Sequence, residues 1–438
     1  MKAKCVILFL LLPLITSAQQ VWTIEQCIDY AKKENAVIKR SEIQAEISKI
    51  SHQQSKENFL PNLNANASQN FSFGRSLTED NIYMSNNVFN TNIGVSAGLT
   101  LFKGMQMINE VYQTDFNFQA ALMDVKKQQD DICLQIMTCY LQILFNKEAV
   151  KVAESKLELT KLQAKQTEIL VEAGKKPKGE LSEANALVAQ DKVSLLDAKT
   201  TLETSYLTLT QLLYLGNEDV KNFDVSDDVS FMMTDVLNKS VSEIYDAALE
   251  FLPSIKGEEL RIKSQEYSVK MAKGAYSPQL SFGASYGNGY YYTQGGANLS
   301  FADQFAKNNN FGLNFSLYIP IFDRMSTPNA IKRSKLTLNQ QSDQLETAKN
   351  NLRKEIQNAY VNAYMAQQKI QLAEANLQAS EEAFNYQSEK YEAGAATLYE
   401  LNESKNRYTS AKLSQVQAKF NYLFRTRILS YYNGELTF

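Results

Sequence analysis

The chain has 438 residues, with 45 Lys and Arg against 48 Asp and Glu, and this near-neutral balance gives no electrostatic case for nucleic acid. One histidine, His52, excludes sites that need two imidazoles, and four cysteines in no paired spacing exclude zinc fingers and a disulfide scaffold. With only 17 Gly and 7 Pro the chain is poor in turn-formers, so long uninterrupted helices are expected.

At the N-terminus Lys2 and Lys4 precede an apolar run from Cys5 to Ile15, and Thr16-Ser17-Ala18 follows with the small residues a signal peptidase reads. Residues 1–18 read as an export signal. No Cys stands at the cleavage point to carry a lipid. Without the signal, 43 basic face 48 acidic residues, and Cys27, Cys133 and Cys139 read as three small buried thiols. No other stretch approaches the ~18 apolar residues of a spanning helix.

After a helical segment, the first strand is expected over about 61–74, where Leu63, Ala65, Ala67, Phe71 and Phe73 alternate with Asn, Ser and other polar residues. The second, about 90–102, sets Ile93, Val95, Ala97, Leu99 and Leu101 against Asn92, Gly94, Ser96, Gly98 and Thr100. Between Gly104 and Gly174 there is neither glycine nor proline, and apolar or small residues recur at alternating steps of four and three from Ile132 through Ile136, Cys139 and Ile143 to Thr167 and Val171. That heptad seam predicts coiled-coil packing along a helix on the order of 100 Å. A tight turn at about 172–180 leads into another helix.

The chain then repeats itself. Tyr391-Glu392-Ala393-Gly394 echoes Val171-Glu172-Ala173-Gly174, and Glu400-Leu401-Asn402-Glu403 echoes Glu180-Leu181-Ser182-Glu183, both at an offset of 220. Upstream the offset is 217, pairing Ala31 with Ala248, Ile38 with Ile255 and Pro61 with Pro278. The second copy predicts strands at about 278–292 and 310–322, a seam from Leu352 to Tyr391, and a turn at about 392–400. The resulting division is 19–216, a connector at 217–240, and 241–438.

Alternation alone favours a half-buried soluble sheet over a membrane wall. Two features favour the membrane: the export signal, and aromatic residues at the strand ends and loops, among them Phe71, Phe73, Tyr83, Phe89, Tyr290, Tyr291, Tyr292 and Phe301. Four strands cannot close a barrel, and open edges are not tolerated in hydrocarbon, so several chains must contribute strands. Three copies would supply twelve.

The duplicated helix–strand–strand–helix–helix unit, Pro61 and Pro278 before the strands, and the turn Tyr391-Glu392-Ala393-Gly394 running into Glu400-Leu401-Asn402-Glu403 resemble the TolC-type outer-membrane channels. The resemblance covers nearly the whole chain after the signal. It implies a membrane α+β fold: four transmembrane strands and long coiled-coil helices per chain, a trimeric twelve-stranded β-barrel, and an α-helical barrel across the periplasm. The function it implies is passive exit through the outer membrane, in efflux or type I secretion. Its implied partners are two further copies, a periplasmic adaptor, an inner-membrane transporter and outer-membrane lipid. A competing reading is an exported coiled-coil scaffold or adhesin without a pore.

Carboxylates three residues apart share a helix face, and both copies carry such a pair. By the resemblance Glu400 and Glu403 match acidic positions at the narrow tunnel end, and Glu180 with Glu183 is the weaker counterpart; the plain alternative is a solvated helix face. Val171, Gly174, Leu181, Tyr391, Gly394 and Leu398 are the candidate adaptor-docking surface, against simple hairpin closure by the two glycines. The family's arginine after the tip glycine is replaced here by Ala395 and Ala396, and Lys175, Lys176 and Lys178 in the other turn are candidate partners of the acidic cluster. Gly287-Asn288-Gly289 precedes no helix and is no phosphate cradle, His52 reads as an exposed bystander, and Phe438 follows a helix and has no barrel role. No nucleophile, base and oxyanion site assembles, so neither an enzyme nor a cofactor is expected.

Overall fold

The computed structural model describes residues 20–77, 81–85, 87–216, 220, 223–228, 236–294 and 296–435. The expected export signal, part of the connector and Phe438 lie outside the described residues. The elements in order are β1 (Gln20–Trp22), α1 (Ile24–Glu34), α2 (Ala36–Glu57), β2 (Asn62–Ser72), β3 (Arg75–Leu77), β4 (Tyr83–Ser85), β5 (Val88–Lys103), α3 (Gln106–Glu172), α4 (Lys178–Leu213) and β6 (Phe223–Val225). They continue as α5 (Val241–Phe251), α6 (Pro253–Gly274), β7 (Gln279–Thr293), α7 (Phe301–Lys307), β8 (Asn310–Tyr318), α8 (Ser326–Glu392) and α9 (Leu398–Tyr432). No described helix is long and apolar enough to cross a membrane.

The duplication is visible in the local chemistry of each element. α1 and α5 each have 11 residues and open on a capping box, Thr23 with Gln26 in one and Ser240 with Glu243 in the other. α3 and α8 each have 67 residues. Both follow a pair of residues at positive φ, Gly104 and Met105 before α3, Arg324 and Met325 before α8. Gly104 is held there by space as well as by φ: a Cβ would lie 2.1 Å from Gly274 O and 2.7 Å from Ser277 Cβ.

The chain divides into two units, one built from the described residues of Met1–Glu42, Val125–Pro253 and Lys349–Phe438, the other from Ile43–Asp124 and Ser254–Ala348. In the first unit the heptad seam is the packing face. Ile132, Ile136, Ile143, Leu157, Ala164 and Thr167 are buried on α3, and Leu352, Ile356, Ala363, Ala366, Phe384 and Tyr391 on α8. A core cluster joins α1, α3, α4 and α9 through Cys27, Ile136, Tyr140, Leu209, Leu213 and Leu423. Connector strand β6 pairs in parallel with β1, Phe223 opposite Gln20 and Val225 opposite Trp22. Lys147 Nζ clamps it, 2.8 Å from Val225 O and 2.9 Å from Asp224 Oδ1.

In the second unit one antiparallel sheet has the order β2-β5-β7-β8, with a bulge in β5 between Thr100 and Phe102. The fourth strand ends at Tyr318, short of the expected 322, because Pro320 has no N–H to give a ladder. Asp323 then accepts from Thr327 N–H at 2.6 Å and starts α8. Its carboxyl sits below the ordinary value because Thr327 hydrogen-bonds to it. His52 is no bystander. Its side chain is 12% exposed, with Nδ1 3.2 Å from Thr114 Oγ1 and Nε2 3.6 Å from Asp115 Oδ1.

Candidate functional site

Register decides what the sheet can do. Across the four strands, Asn62, Gly98, Gly283 and Asn314 stand side by side, then Asn64, Ser96, Ser285 and Gly312, then Asn66, Gly94, Gly287 and Asn310. Side chains alternate between faces, so these rows make one surface of amides, hydroxyls and bare backbone. The opposite face carries Leu63, Ala97, Ala284 and Leu313, then Ala65, Val95, Tyr286 and Phe311. On that face Leu63 is 74% exposed and Phe315 67% exposed, an apolar surface over which none of the described residues lays a core. Residues 62–72, 88–102, 279–293 and 310–318 include no Asp, Glu, Lys or Arg. One face is fit for water, the other for oil, and neither uses charge.

The second candidate region is the pair of helical turns in the first unit. Gly174 N–H donates to Val171 O and Lys175 N–H to Leu170 O; Gly394 N–H donates to Tyr391 O and Ala395 N–H to Lys390 O. Both turns are therefore the same C-cap motif, with glycine at φ 70° and 73°. They differ one step later. Thr397 caps α9 and forms a capping box with Glu400, whose carboxylate accepts from Thr397 N–H at 2.8 Å and from Thr397 Oγ1–H at 2.9 Å. Those bonds hold the Glu400 carboxyl below the ordinary value. Pro177 in the matching place offers no side-chain cap, so Glu180 turns to Lys176 at 2.8 Å.

Glu403 pairs with Arg407, and Glu183 is exposed. Glu400, Glu403 and Arg407 line one groove of about 930 Å³ between α8 and α9, with Ser380, Ala383 and Tyr386 opposite. Among the turn lysines Lys176 is committed to Glu180 and to the face of Tyr391, 4.4 Å from the ring centroid, and not to the Glu400 cluster. Of the six expected docking residues, Gly174 and Gly394 are exposed, and Val171 and Leu181 are partly so. Tyr391 and Leu398, at 1% and 4% exposure, pack in a core cluster with Phe384 and Leu401 beneath the turns. Tyr391 Oη lies 3.0 Å from the buried Thr167 Oγ1, tying the two hairpins together inside.

A buried ion cluster beneath this tip was not anticipated. Lys405 Nζ, on a fully buried residue, donates to Thr160 Oγ1 at 2.7 Å and lies 3.8 Å from Asp191 Oδ2; Asp191 Oδ1 also meets Lys156 Nζ at 3.0 Å. Burial pushes the Lys405 ammonium down to about 8. The seam carried along α9 from Leu398 through Leu401 arrives at Lys405, so a charged residue at a core position was the available signal.

Fold and faces together describe a membrane channel protein: an exposed two-faced sheet joined to long paired helices in a tandem repeat. A family model described as outer membrane efflux protein matches residues 27–213 and 244–429, and the chain belongs to that family. Its work is therefore efflux through the outer membrane. No curated protein matches the chain. Solved structures that share the fold include the outer membrane protein VceC from Vibrio cholerae, at 14% identity and TM-score 0.78 over 94% of this chain and 96% of that one. The CmeC outer membrane channel of Campylobacter jejuni matches at 15% identity and TM-score 0.76, covering 94% and 85%. The open state of the Neisseria gonorrhoeae MtrE outer membrane channel matches at 17% identity and TM-score 0.72, covering 97% and 93%.

Proposed function

We propose that three copies of this chain complete one outer-membrane pore and its periplasmic tunnel, a passive conduit that performs no chemistry of its own. The observation that carries this is the sheet. Among the described residues its edge strands β2 and β8 each have one unpaired side and its apolar face is bare, and a sheet with open edges cannot stand in hydrocarbon alone. Joining β8 of one copy to β2 of the next around a threefold axis gives twelve strands, with the Asn, Ser and Gly face toward water. Exposed apolar stripes in the first unit, Val193, Leu196 and Leu207 on α4 and Val361, Met365 and Leu372 on α8, support helix packing between copies.

The paired elements support a division into repeats at 19–216 and 241–438, with 217–240 between them. Substrate would arrive from an inner-membrane transporter through a periplasmic adaptor. The adaptor would meet the exposed turn surfaces around Val171, Gly174, Leu181 and Gly394, with Tyr391 and Leu398 setting their geometry from below. Threefold copies of Glu400 and Glu403, with Glu180 and Glu183 nearby, would gather negative potential at the tip and favour cations. Because Arg407 offsets Glu403, Glu400 carries more of that field.

Purified protein in a planar bilayer tests the reading. Conductance from a detergent-stable trimer is expected; a monomer without conductance would instead support the scaffold. Glu400→Gln combined with Glu403→Gln should shift the reversal potential in a salt gradient toward weaker cation selectivity, and an unchanged potential would remove these residues from the gate.

A further inference from the structure

Strand β7 outruns its partner. β8 pairs with it only from Gln279 to Gly287, so among the described residues no strand lies beside that edge of β7 from Asn288 to Thr293. Side-chain amides from the β7–β8 connection fill that edge. Asn298 accepts from Thr293 N–H at 2.8 Å and donates to Thr293 O at 2.7 Å. Gln304 accepts from Tyr291 N–H at 2.9 Å and donates to Tyr291 O at 2.8 Å, and Asn308 donates to Gly289 O at 2.9 Å. Three amides two strand positions apart thus imitate a further strand. Gln304 is 6% exposed, which fits a bond network built to last without water.

These amides fix α7 against the sheet. Asn288, on the apolar face in register with Ile93 and Ala67, donates to Phe305 O. Phe301 stands edge-on to Tyr290, ring centroids 5.2 Å apart, and stacks on Phe305 at 5.5 Å. Tyr290 belongs to the same alternating set as Tyr286 and Ala284, so the aromatic side of α7 continues the oil-facing surface. Phe301 and Phe305 nevertheless remain 55% and 41% exposed, while Asp303 and Lys307, also four apart, mark the polar side. α7 lies at the end of the sheet away from the helices, since β2, β5, β7 and β8 all meet helical segments at their opposite ends.

We propose that α7 is an interfacial anchor, its Phe301 and Phe305 seated at the head-group and acyl-chain boundary of the membrane leaflet facing away from the helices. The occupant of this face is lipid, because the face is continuous with the apolar surface that the proposed pore turns to the membrane, and the inference rests on that reading. Such helices sink roughly 5–10 Å below the head groups.

The chain's single tryptophan, Trp22, makes a clean test. In the Trp22→Phe background, Phe305→Trp and, separately, Phe301→Trp are placed in proteoliposomes of phosphatidylcholine brominated either near the head group or deep in the chain; Phe315→Trp is the control on β8. Emission at 305 and 301 should fall most with shallow bromines, and at 315 with deep ones. Quenching at 315 with none at 305 and 301, or their quenching by aqueous iodide instead, overturns the anchor and leaves the pore standing. Absence of bromolipid quenching at all three positions overturns both.

Discussion

Lys405→Met removes a buried cation without stranding an anion, which makes its effect opposite to that of most core substitutions. Asp191 is one carboxylate between two ammoniums, Lys156 at 3.0 Å and Lys405 at 3.8 Å. The surplus positive charge falls on Lys405, which is fully buried. Its descent from 10.5 to about 8, at roughly 1.4 kcal/mol per pH unit, means that keeping it charged costs the folded state about 3 kcal/mol at neutral pH. Methionine fills the same length of side chain. It gives up the bond to Thr160, a loss of about 1–2 kcal/mol, so a net gain of about 1–2 kcal/mol is expected. Asp191→Asn leaves two lysines facing a neutral amide and should cost about 3–5 kcal/mol.

The pH dependence separates this account from simple repacking. Below about 8 the folded and unfolded chains both hold the Lys405 proton, and the burial penalty is present in full. Between about 8 and 10.5 the folded state releases its proton first, the unfolded state binds more, and stability rises with pH. Thermal unfolding of the detergent-solubilised protein, followed by circular dichroism at pH 7 and again near pH 10, should show Lys405→Met melting above the parent at the lower pH and the gap closing at the higher. A variant that melts below the parent at pH 7, with a pH-independent gap, would refute the claim that an uncompensated charge is stored there.

Gly394→Ala places a Cβ in open space at φ 73°, so only the backbone term of about 1–2 kcal/mol is lost; Gly104→Ala drives a Cβ to 2.1 Å from Gly274 O and should abolish folded protein in the outer-membrane fraction. Comparing yields and melting temperatures of the two checks the distinction. Burial pushes the Cys27 and Cys133 thiols up to about 12 and raises Cys139 as well, so all three should resist alkylation at pH 8, and mass spectrometry should find Cys139, only partly covered, labelled first.

Features governed by short-range periodicity were legible in the chain before any coordinates. The 4,3 spacing located the buried faces of α3 and α8, and the offset of 220 located both turns, because each pattern is a direct image of helix geometry. What escaped depended on contacts between distant segments. Nothing near Lys405 in sequence announces Asp191, 214 positions away, and nothing near Thr293 announces that Asn298, Gln304 and Asn308 would stand in for a strand. The burial of Tyr391 and Leu398 was hidden for a related reason: residues beside an exposed turn look exposed until the opposing hairpin supplies Ala164 and Ala184 to cover them.

The two repeats share a scaffold and differ where the chain has to end or turn, and those differences fall into a physical order. Thr397 stands in the place of Pro177, which makes Glu400 a cap acceptor where Glu180 is an ion-pair partner, and Lys176 covers Tyr391 of the other hairpin. Lys405 is buried where the first repeat has the exposed Asn185, and Asp191 is buried where the second has Ala411, so the contact between these two charges is made from one repeat to the other. An unmatched Lys405 in that core would cost several kcal/mol, so the buried cation is tolerable only with Asp191 beside it, whereas Asp191 also has Lys156 of its own repeat at 3.0 Å. The pair therefore fixes which hairpin face meets which, a choice that two repeats with neutral residues at both positions would leave to shape alone. Asymmetry beneath the tip is what makes a duplicated chain specific in its packing, and it is there, not in the uncharged strands of the sheet, that this buried ion pair resides.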